Sequence, residues 1–550
     1  MKALLMLLVF LLNPYILLGG VQITGQIYGA DGQPPILSHV HLTTIGGHYS
    51  DAIQSVQAHQ NGTFEIELPG PGLYRLWVSA VNHTVVGVPL IVEPDDSQVN
   101  MTITLSPYSY KESLDEVRII GDWNSFKFST AKAMQKQPDG TFIFEVEAQA
   151  DTLGYQLLGI VEEMRSVNGT MADYFVYDGG GDYRSVLRGQ KGKVKIVFDP
   201  SKLSRSIEPE LPKITFAQEH LHLAEYFNID QRFEKKRAEF FEALQAYRKK
   251  HEDTKDFSFD FSSLQSSLEQ VMQQASDLKV RQFAAMYLAQ LPMMRWELAV
   301  NTYDEVMNLV PPTSSFWGIN SYLPISVSNN LDTEKPDSLL QIFYEQNPNR
   351  KVQAQVLAYF VMKASRANEK EKVDSLYQEL KTKYGDVGEI QFYLKQLDPN
   401  RRIAEGKPVP DFEVKLMNRD KTISNKSLLG KFYMLDFWAV WCGPCVAEMP
   451  NLHHAYEKFK DKNFTIVSLS FDPKVEDVQK FRARQWKMPW LHVFVEDAFN
   501  NEITKKFEVL GIPKPLLVNP RGIIVATEFQ LRGKNLETTL TKYLGEPGTN

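Results

Sequence analysis

Residues Phe432 to Trp438 form a continuous apolar run interrupted once, by Asp436, and the run leads into Trp441-Cys442-Gly443-Pro444-Cys445, after which Val446 to Phe459 is spaced as a helix. A run of this length and composition reads as a strand buried on both faces of a sheet. Strand, Cys-x-x-Cys and helix in immediate succession place the pair where the helix begins. Unpaired amides and the helix dipole there favour a thiolate, lowering a thiol pKa from about 8.5 toward about 7 or below, so Cys442 is expected to attack. Cys445, one helical turn on, is expected to resolve the resulting mixed disulfide and end the cycle as an intramolecular Cys442–Cys445 disulfide. Pro444 falls in the first turn, where its missing N–H costs nothing. The chain of 550 residues has no other cysteine, and His453-His454 lie on the same helix as the pair. A structural zinc site needs two more ligands of cysteine or histidine type, so neither a metal nor any cofactor beyond the redox-active pair is expected.

The segment Asp436-Phe437-Trp438-Ala439-Val440-Trp441-Cys442-Gly443-Pro444-Cys445 resembles thioredoxin. Around it, Pro408-Val409-Pro410-Asp411-Phe412, Leu428-Leu429-Gly430-Lys431, Glu448-Met449-Pro450, Ser468-Leu469-Ser470-Phe471-Asp472, Gly511-Ile512-Pro513 and Asn519-Pro520-Arg521-Gly522 resemble the TlpA/ResA branch of envelope thiol-disulfide oxidoreductases. The resemblance covers residues 404–545 and implies a C-terminal α/β thioredoxin fold. It implies that Asp436 is the buried acid that takes the proton from Cys445, its pKa raised by desolvation, the alternative being a satisfied buried carboxylate. It implies that Glu448 tunes the cysteines, the alternative being a solvated helix position. Pro513 matches the cis-proline facing the pair, and Trp441, Gly443, Pro444 and Ile512 are the implied substrate-binding residues. Protein dithiols and disulfides are the implied partners, with a membrane oxidoreductase as electron donor. Gly-Pro between the cysteines and Ile before the cis-proline match the reducing members, so reduction or exchange of protein disulfides is the expected reaction. One departure stands out: Lys514-Pro515 follows Pro513, where related domains carry a small hydroxyl residue. Lys514 either acts on the thiolate or points to solvent, and the second placement is the expectation.

Length alone asks for three to five domains. Met1 to Gly20 has one lysine, an apolar run and Asn13-Pro14 before enough residues accumulate to span a bilayer. It reads as a signal peptide of residues 1–20, with an uncleaved anchor as the alternative, and implies a protein exported to the periplasm or cell envelope and soluble after cleavage. Residues 21–106 alternate apolar and polar positions between turn signals, as in Thr63-Phe64-Glu65-Ile66-Glu67-Leu68, which argues an all-β sandwich. Their order of turns resembles carboxypeptidase-regulatory or transthyretin-like modules. Residues 114–200 are again strand-like, and Val117 to Asn124 followed by Asp139 to Val146 resembles a glycogen-binding-type immunoglobulin-like module. Trp123 is the candidate there for stacking on a sugar, against the plainer reading of a core or loop anchor. From about Ile214 the period becomes helical, giving an all-α region over 214–400 that the loops at Val310-Pro311-Pro312-Thr313 and Asn347-Pro348-Asn349 interrupt. The expected architecture is thus multidomain: two all-β modules, a helical region and a thioredoxin fold.

A formal charge of −7 without a long basic cluster excludes nucleic acid as an expected partner. His39-x-His41 and His220-x-His222 are spaced for one face of a strand and are weak metal candidates. Asn61 and Asn168 fall in Asn-x-Thr triplets that matter only in a eukaryotic secretory route, and Gly179-Gly180-Gly181 reads as a hairpin turn. Two other functions remain to be weighed. A peroxiredoxin-like antioxidant enzyme would carry Pro-x-x-x-Thr-x-x-Cys, which Trp438 to Cys442 does not fit. A non-enzymatic glycan-binding or adaptor protein has no need of a reactive pair.

Overall fold

The computed structural model describes residues 21–93, 98–161, 165–189, 191–203, 212–217, 220, 222–251, 256–331, 336–367, 369–417 and 420–546. The expected signal peptide, residues 1–20, lies outside them. The chain divides into two compact units: residues up to Arg237 with Phe261–Met293 and Glu297–Asn320, and Ala238–Asp260 with Met294–Trp296 and Ser321–Asn550.

The first unit begins with β1 (Val21–Tyr28), β2 (Ser38–Thr44), β3 (Gln54–Gln57), β4 (Thr63–Leu68), β5 (Gly72–Ala80), β6 (His83–Val92) and β7 (Gln98–Thr104). Alternation is what makes them strands: on β4, Phe64, Ile66 and Leu68 are buried while Glu65 and Glu67 are exposed. β3-β2-β5-β6 is an antiparallel sheet, whereas β1 pairs antiparallel with β4 and parallel with β7. Nine more strands follow: β8 (Arg118–Gly121), β9 (Lys132–Ala133), β10 (Gln135–Lys136), β11 (Phe142–Ala148), β12 (Thr152–Leu158), β13 (Ser166–Val167), β14 (Tyr174–Tyr177), β15 (Tyr183–Arg188) and β16 (Gly192–Phe198). They form the sheets β10-β11-β16 and β14-β15-β12-β8-β9, with β13 on β12. Gly179-Gly180-Gly181 makes the turn between β14 and β15, where Tyr177 pairs with Tyr183.

The helical pattern does not begin at Ile214. Lys213–Phe216 is a strand, β17, antiparallel to β7, with Ile214 and Phe216 buried and Lys213 and Thr215 exposed. Four alternating residues just ahead of a helix are too few to stand out in a window of 11–18 residues. The helices are α1 (His222–Lys250), α2 (Ser262–Gln274), α3 (Leu278–Leu288), α4 (Val300–Leu309), α5 (Leu323–Ser328), α6 (Pro336–Gln346), α7 (Arg350–Arg366), α8 (Lys370–Tyr384) and α9 (Gln391–Gln396). Asp277 caps α3 by accepting the Lys279 N–H at 2.7 Å, and Asn349 caps α7 through Lys351 at 2.9 Å. Short α5 and α9 span less than two turns, so no periodicity announces them.

In the second unit, α7 and α8 share a core with the stretch that follows them, through Leu357, Val361, Tyr377, Leu380, Ile390 and Leu397. Then come the hairpin β18 (Glu413–Lys415) and β19 (Thr422–Ser424), and the α/β succession β20 (Phe432–Trp438), α10 (Gly443–Ala447), α11 (Met449–Phe459), β21 (Phe464–Ser470), α12 (Val475–Arg484), β22 (Leu491–Phe494), α13 (Glu502–Lys506), β23 (Lys514–Val518), β24 (Ile524–Thr527) and α14 (Lys534–Leu544). The sheet order is β22-β21-β20-β23-β24. The three strands joined by helical crossovers run parallel, and β23 and β24 are antiparallel additions. β20 is central, with Tyr433 to Trp438 all buried, as a strand covered on both faces must be.

One buried ion pair holds sheet to helices in the first unit. Arg75 on β5 donates to both oxygens of Asp230 on α1 (3.0 and 2.6 Å), to the Ile45 carbonyl (3.2 Å) and to the Tyr287 hydroxyl on α3 (3.3 Å). Both charged side chains are buried. Removing one partner leaves the other charge uncompensated, so Asp230→Ala should cost about 3–5 kcal/mol in urea unfolding of this unit. A loss below about 1 kcal/mol would mean that water reaches the guanidinium.

Candidate active site

β20 delivers the cysteines to the C-terminal end of the sheet's central strand. After Trp438 the chain turns, the Cys442 N–H donating to the Ala439 carbonyl at 3.2 Å, and Cys442 becomes the cap of α10. Its sulfur accepts the Cys445 N–H at 3.2 Å. The two cysteines are joined by a disulfide of 2.06 Å. Cys442 is 5% exposed and Cys445 1%, so the first is the sulfur nearer to solvent. Around them, Trp441, Gly443 and Pro444 are exposed, and a Cβ on Gly443 would meet nothing within 4 Å. The Ile512–Pro513 bond is cis. The Ile512 carbonyl lies 3.7 Å from Cys442 Sγ. Trp441, Gly443, Pro444, Ile512 and Pro513 therefore all gather at the disulfide or adjoin it in the chain.

Asp436 sits in the middle of β20, between Ser468 on β21 and Pro515 on β23. It is 3% exposed. Ser468 Oγ donates to it at 3.3 Å and in turn accepts from Trp490 Nε1 at 2.9 Å. Burial pushes the carboxyl up to about 7; the Ser468 hydrogen bond pulls the other way, and the Glu448 charge adds to the rise. Glu448 itself is not a solvated helix position. Its Oε2 accepts from the Gly533 N–H and from Asn451 Nδ2, both at 2.9 Å, and its Oε1 lies 3.6 Å from Arg532 Nε. The single helix expected over Val446 to Phe459 is in fact two, α10 and α11, meeting at Glu448. Pro450 in the first turn of α11 has no N–H to continue the ladder, and the break frees Glu448 to reach the start of α14.

Lys514 departs from its expected solvent-facing placement. It is buried, with Nζ 3.1 Å from Glu528 Oε1 and donating to the Glu508 carbonyl at 3.0 Å. Arg401 Nη2 approaches the other Glu528 oxygen at 3.2 Å. Lys514 opens a strand that is buried along its whole length, and Glu528 lies beyond the β23–β24 hairpin, so the sequence gave no hint of the pair. Asp472 also escaped notice as more than a motif letter. Its two oxygens accept the Val440 N–H at 3.0 and 3.2 Å and Ser470 Oγ at 2.8 Å, which pins the turn before Trp441 to the end of β21. Burial raises its pKa as well.

Residues singled out elsewhere do not join this site. Trp123 is half-buried, its ring 5.1 Å from that of Phe144. His39 and His41 stack on Tyr177, and His220 Nε2 is 2.7 Å from the Gln98 carbonyl. Among the described residues no cluster of three or more His, Cys, Asp or Glu could hold a metal, and no helix is long and apolar enough to cross a membrane. His453 packs between Trp486 and Trp490. Asn61 is exposed, whereas Asn168 is buried and donates to Asn82 Oδ1 at 2.6 Å.

An acid whose folded pKa lies above its unfolded one favours folding below the unfolded value and loses that contribution as pH rises through the folded value. For Asp436 the window runs from 3.8 to about 7. Asp436→Asn should therefore stabilise the oxidised second unit by roughly 2–4 kcal/mol at about pH 8, a gain that shrinks toward zero near pH 4. Calorimetry at the two pH values reads the difference, and an equal effect at both would contradict a buried, titrating carboxyl.

The Thioredoxin-like family model matches residues 430–524. ResA thiol-disulfide oxidoreductase of Bacillus anthracis is 31% identical over 159 residues, 28% of this chain and 87% of that protein. Tryparedoxin of Trypanosoma brucei brucei is 35% identical over 120 residues, 21% of this chain and 81% of its own. Among solved structures, the thioredoxin domain of a thiol-disulfide oxidoreductase from Bacteroides vulgatus is 33% identical, with 26% of this chain and 98% of that domain covered and a TM-score of 0.24. With nearly the whole of a ResA protein matched, and a disulfide set between a central strand and a helix, this chain belongs to the ResA/TlpA-like family of thioredoxin-fold thiol-disulfide oxidoreductases.

Proposed function

We propose that the chain is a cell-envelope enzyme that reduces or exchanges protein disulfides through Cys442-Gly443-Pro444-Cys445. The observation that carries this reading is the disulfide itself, with the more exposed sulfur, Cys442, beside the Ile512 carbonyl and the second, Cys445, almost fully covered. In the reduced enzyme the Cys442 thiolate attacks a substrate disulfide; one S–S bond forms as another breaks, and one substrate thiolate leaves. Cys445 then gives up its proton, attacks Cys442 Sγ and releases the second substrate sulfur. The substrate gains two electrons and the enzyme ends oxidised. A base near neutrality is needed for the second step, and Asp436, pushed up to about 7, has the matching pKa. Glu448 adds negative charge that favours its protonated form. Trp441, Gly443, Pro444, Ile512 and Pro513 form the surface on which the substrate lies.

The pair acts without a bound cofactor and is recharged by an external dithiol, for which a membrane oxidoreductase is the partner of choice in an exported protein. Export rests on the signal-like residues 1–20. The strand-rich stretches 21–106 and 114–200 are read as β-sandwich modules, the second a candidate for glycan contact, and 214–400 as a helical domain before the redox domain at 404–545. Trp123, packed on Phe144, offers a sugar less than a free ring would.

Reduction of insulin with dithiothreitol as donor tests the enzyme directly. Cys442→Ser should lower the rate about 10²-fold or more, and Cys445→Ser should accumulate a mixed disulfide between Cys442 and its substrate. Equal rates for wild type and Cys442→Ser would overturn the proposal.

A further inference from the structure

The loop that carries Ile512 and Pro513 also walls a cavity of about 460 Å³. On the loop side the wall is Leu510, with Phe499 and Lys505 from the α13 region; on the other it is Lys395 at the end of α9 and Arg401 after it. The latter two lie outside the residues that match the family model. Two routes join the cavity to the disulfide. Leu510 is two residues from Ile512, whose carbonyl is 3.7 Å from Cys442 Sγ. Two residues of chain reach at most about 7 Å. On the other flank, Phe499 meets Phe471 edge-on at 5.0 Å, and the Phe471 carbonyl accepts the Trp441 indole N–H. Leu510, Phe499 and Trp441 are 42%, 40% and 54% exposed, a concentration of large apolar side chains in water around one disulfide. Phe392 of α9 extends it, since a Cβ on Gly511 would stand 3.9 Å from its ring.

Charge gives the cavity a sign. Arg401 is paired with Glu528, and Glu508, also in the wall, with Arg402 at 3.1 Å. Asp398 also lines the wall; its Oδ1 accepts the Asn400 N–H at 2.8 Å, a bond that leaves its negative charge to offset one of the two lysines that follow. Lys395 and Lys505 are exposed and have no ion pair among the described residues. An apolar floor with two unpaired ammonium groups at its rim suits a chain carrying an apolar residue next to an acidic one.

We propose that this cavity is a second subsite for the polypeptide reduced at Cys442, taking an apolar side chain against Leu510 and Phe499 and an acidic one against Lys395 and Lys505. It rests on the oxidoreductase reading above. A polypeptide is the fitting occupant because it is tethered to Cys442 during the mixed disulfide, and three or four extended residues cover about 10–14 Å.

The test uses the reduced full-length protein and two synthetic peptides, each closed by one disulfide and differing only in Leu-Glu or Leu-Lys beside the first cysteine. The ratio of their kcat/KM values cancels any loss common to both. Wild type should prefer the Leu-Glu peptide about tenfold at low salt, with the preference falling at high salt. Lys395→Glu with Lys505→Glu, both exposed and so compatible with folding, should reverse the order. A ratio near one, or one that the double substitution leaves unchanged, overturns the subsite while leaving the oxidoreductase reading intact. Failure of wild type to reduce either peptide overturns that reading, and the subsite with it.

Discussion

Putting a carboxyl group in the middle of a strand covered on both faces costs several kcal/mol if the group stays charged and unpaired, and Asp436 shows how the C-terminal domain absorbs that cost. Its strand neighbour on one side is a proline with no N–H to offer, and on the other a serine whose hydroxyl is itself held by Trp490. One hydrogen bond in an apolar layer is too little to keep the group ionised at neutral pH, so it becomes a weak acid with a pKa near 7. The central strand that buries Asp436 is also the strand that ends at the cysteines. Shielding of the carboxyl from water and placement of the pair thus follow from one element.

The redox site was largely legible because its information is local. An apolar strand, Cys-x-x-Cys and a helix follow one another within about 30 residues, and each piece constrains the next. What escaped depends on residues brought together from far apart. Glu448 meets Gly533 85 residues on and Arg401 meets Glu528 127 residues on, beyond any local window, while Lys514 meets Glu528 only across the β23–β24 hairpin. Lys514 was misplaced because a lysine is mostly a surface residue, and a buried partner is visible only once the hairpin β23–β24 is folded. The break at Glu448 was missed because a proline in the first turn of a helix is permissive, so Pro450 did not by itself mark where one helix stops and another starts.

The N-terminal three-quarters of the chain was legible in class more than in connection. Alternation marked the strands of residues 21–106 and helical spacing the region of the longer helices, whereas the six-residue α5 and α9 are too short to show a period. That β17 returns to the first sheet after the second set of strands was not readable, because it is short and its partner β7 lies more than 100 residues earlier. Arg75 and Asp230 likewise gave no sign of each other. Buried charges of this kind tie distant elements together at the expense of desolvation, and they do so in both units: Arg75 with Asp230 in the first, Arg401 and Lys514 with Glu528 in the second.

The central claim is that a buried carboxyl with a pKa near 7 serves the second chemical step. Stopped-flow resolution of a mixed disulfide formed at Cys442, followed across pH, measures that step in isolation. The account predicts a rate that rises through an apparent pKa near 7 in wild type and, in Asp436→Asn, falls about 10–100-fold and loses that inflection. An unchanged rate and an unchanged pH profile in Asp436→Asn would contradict it.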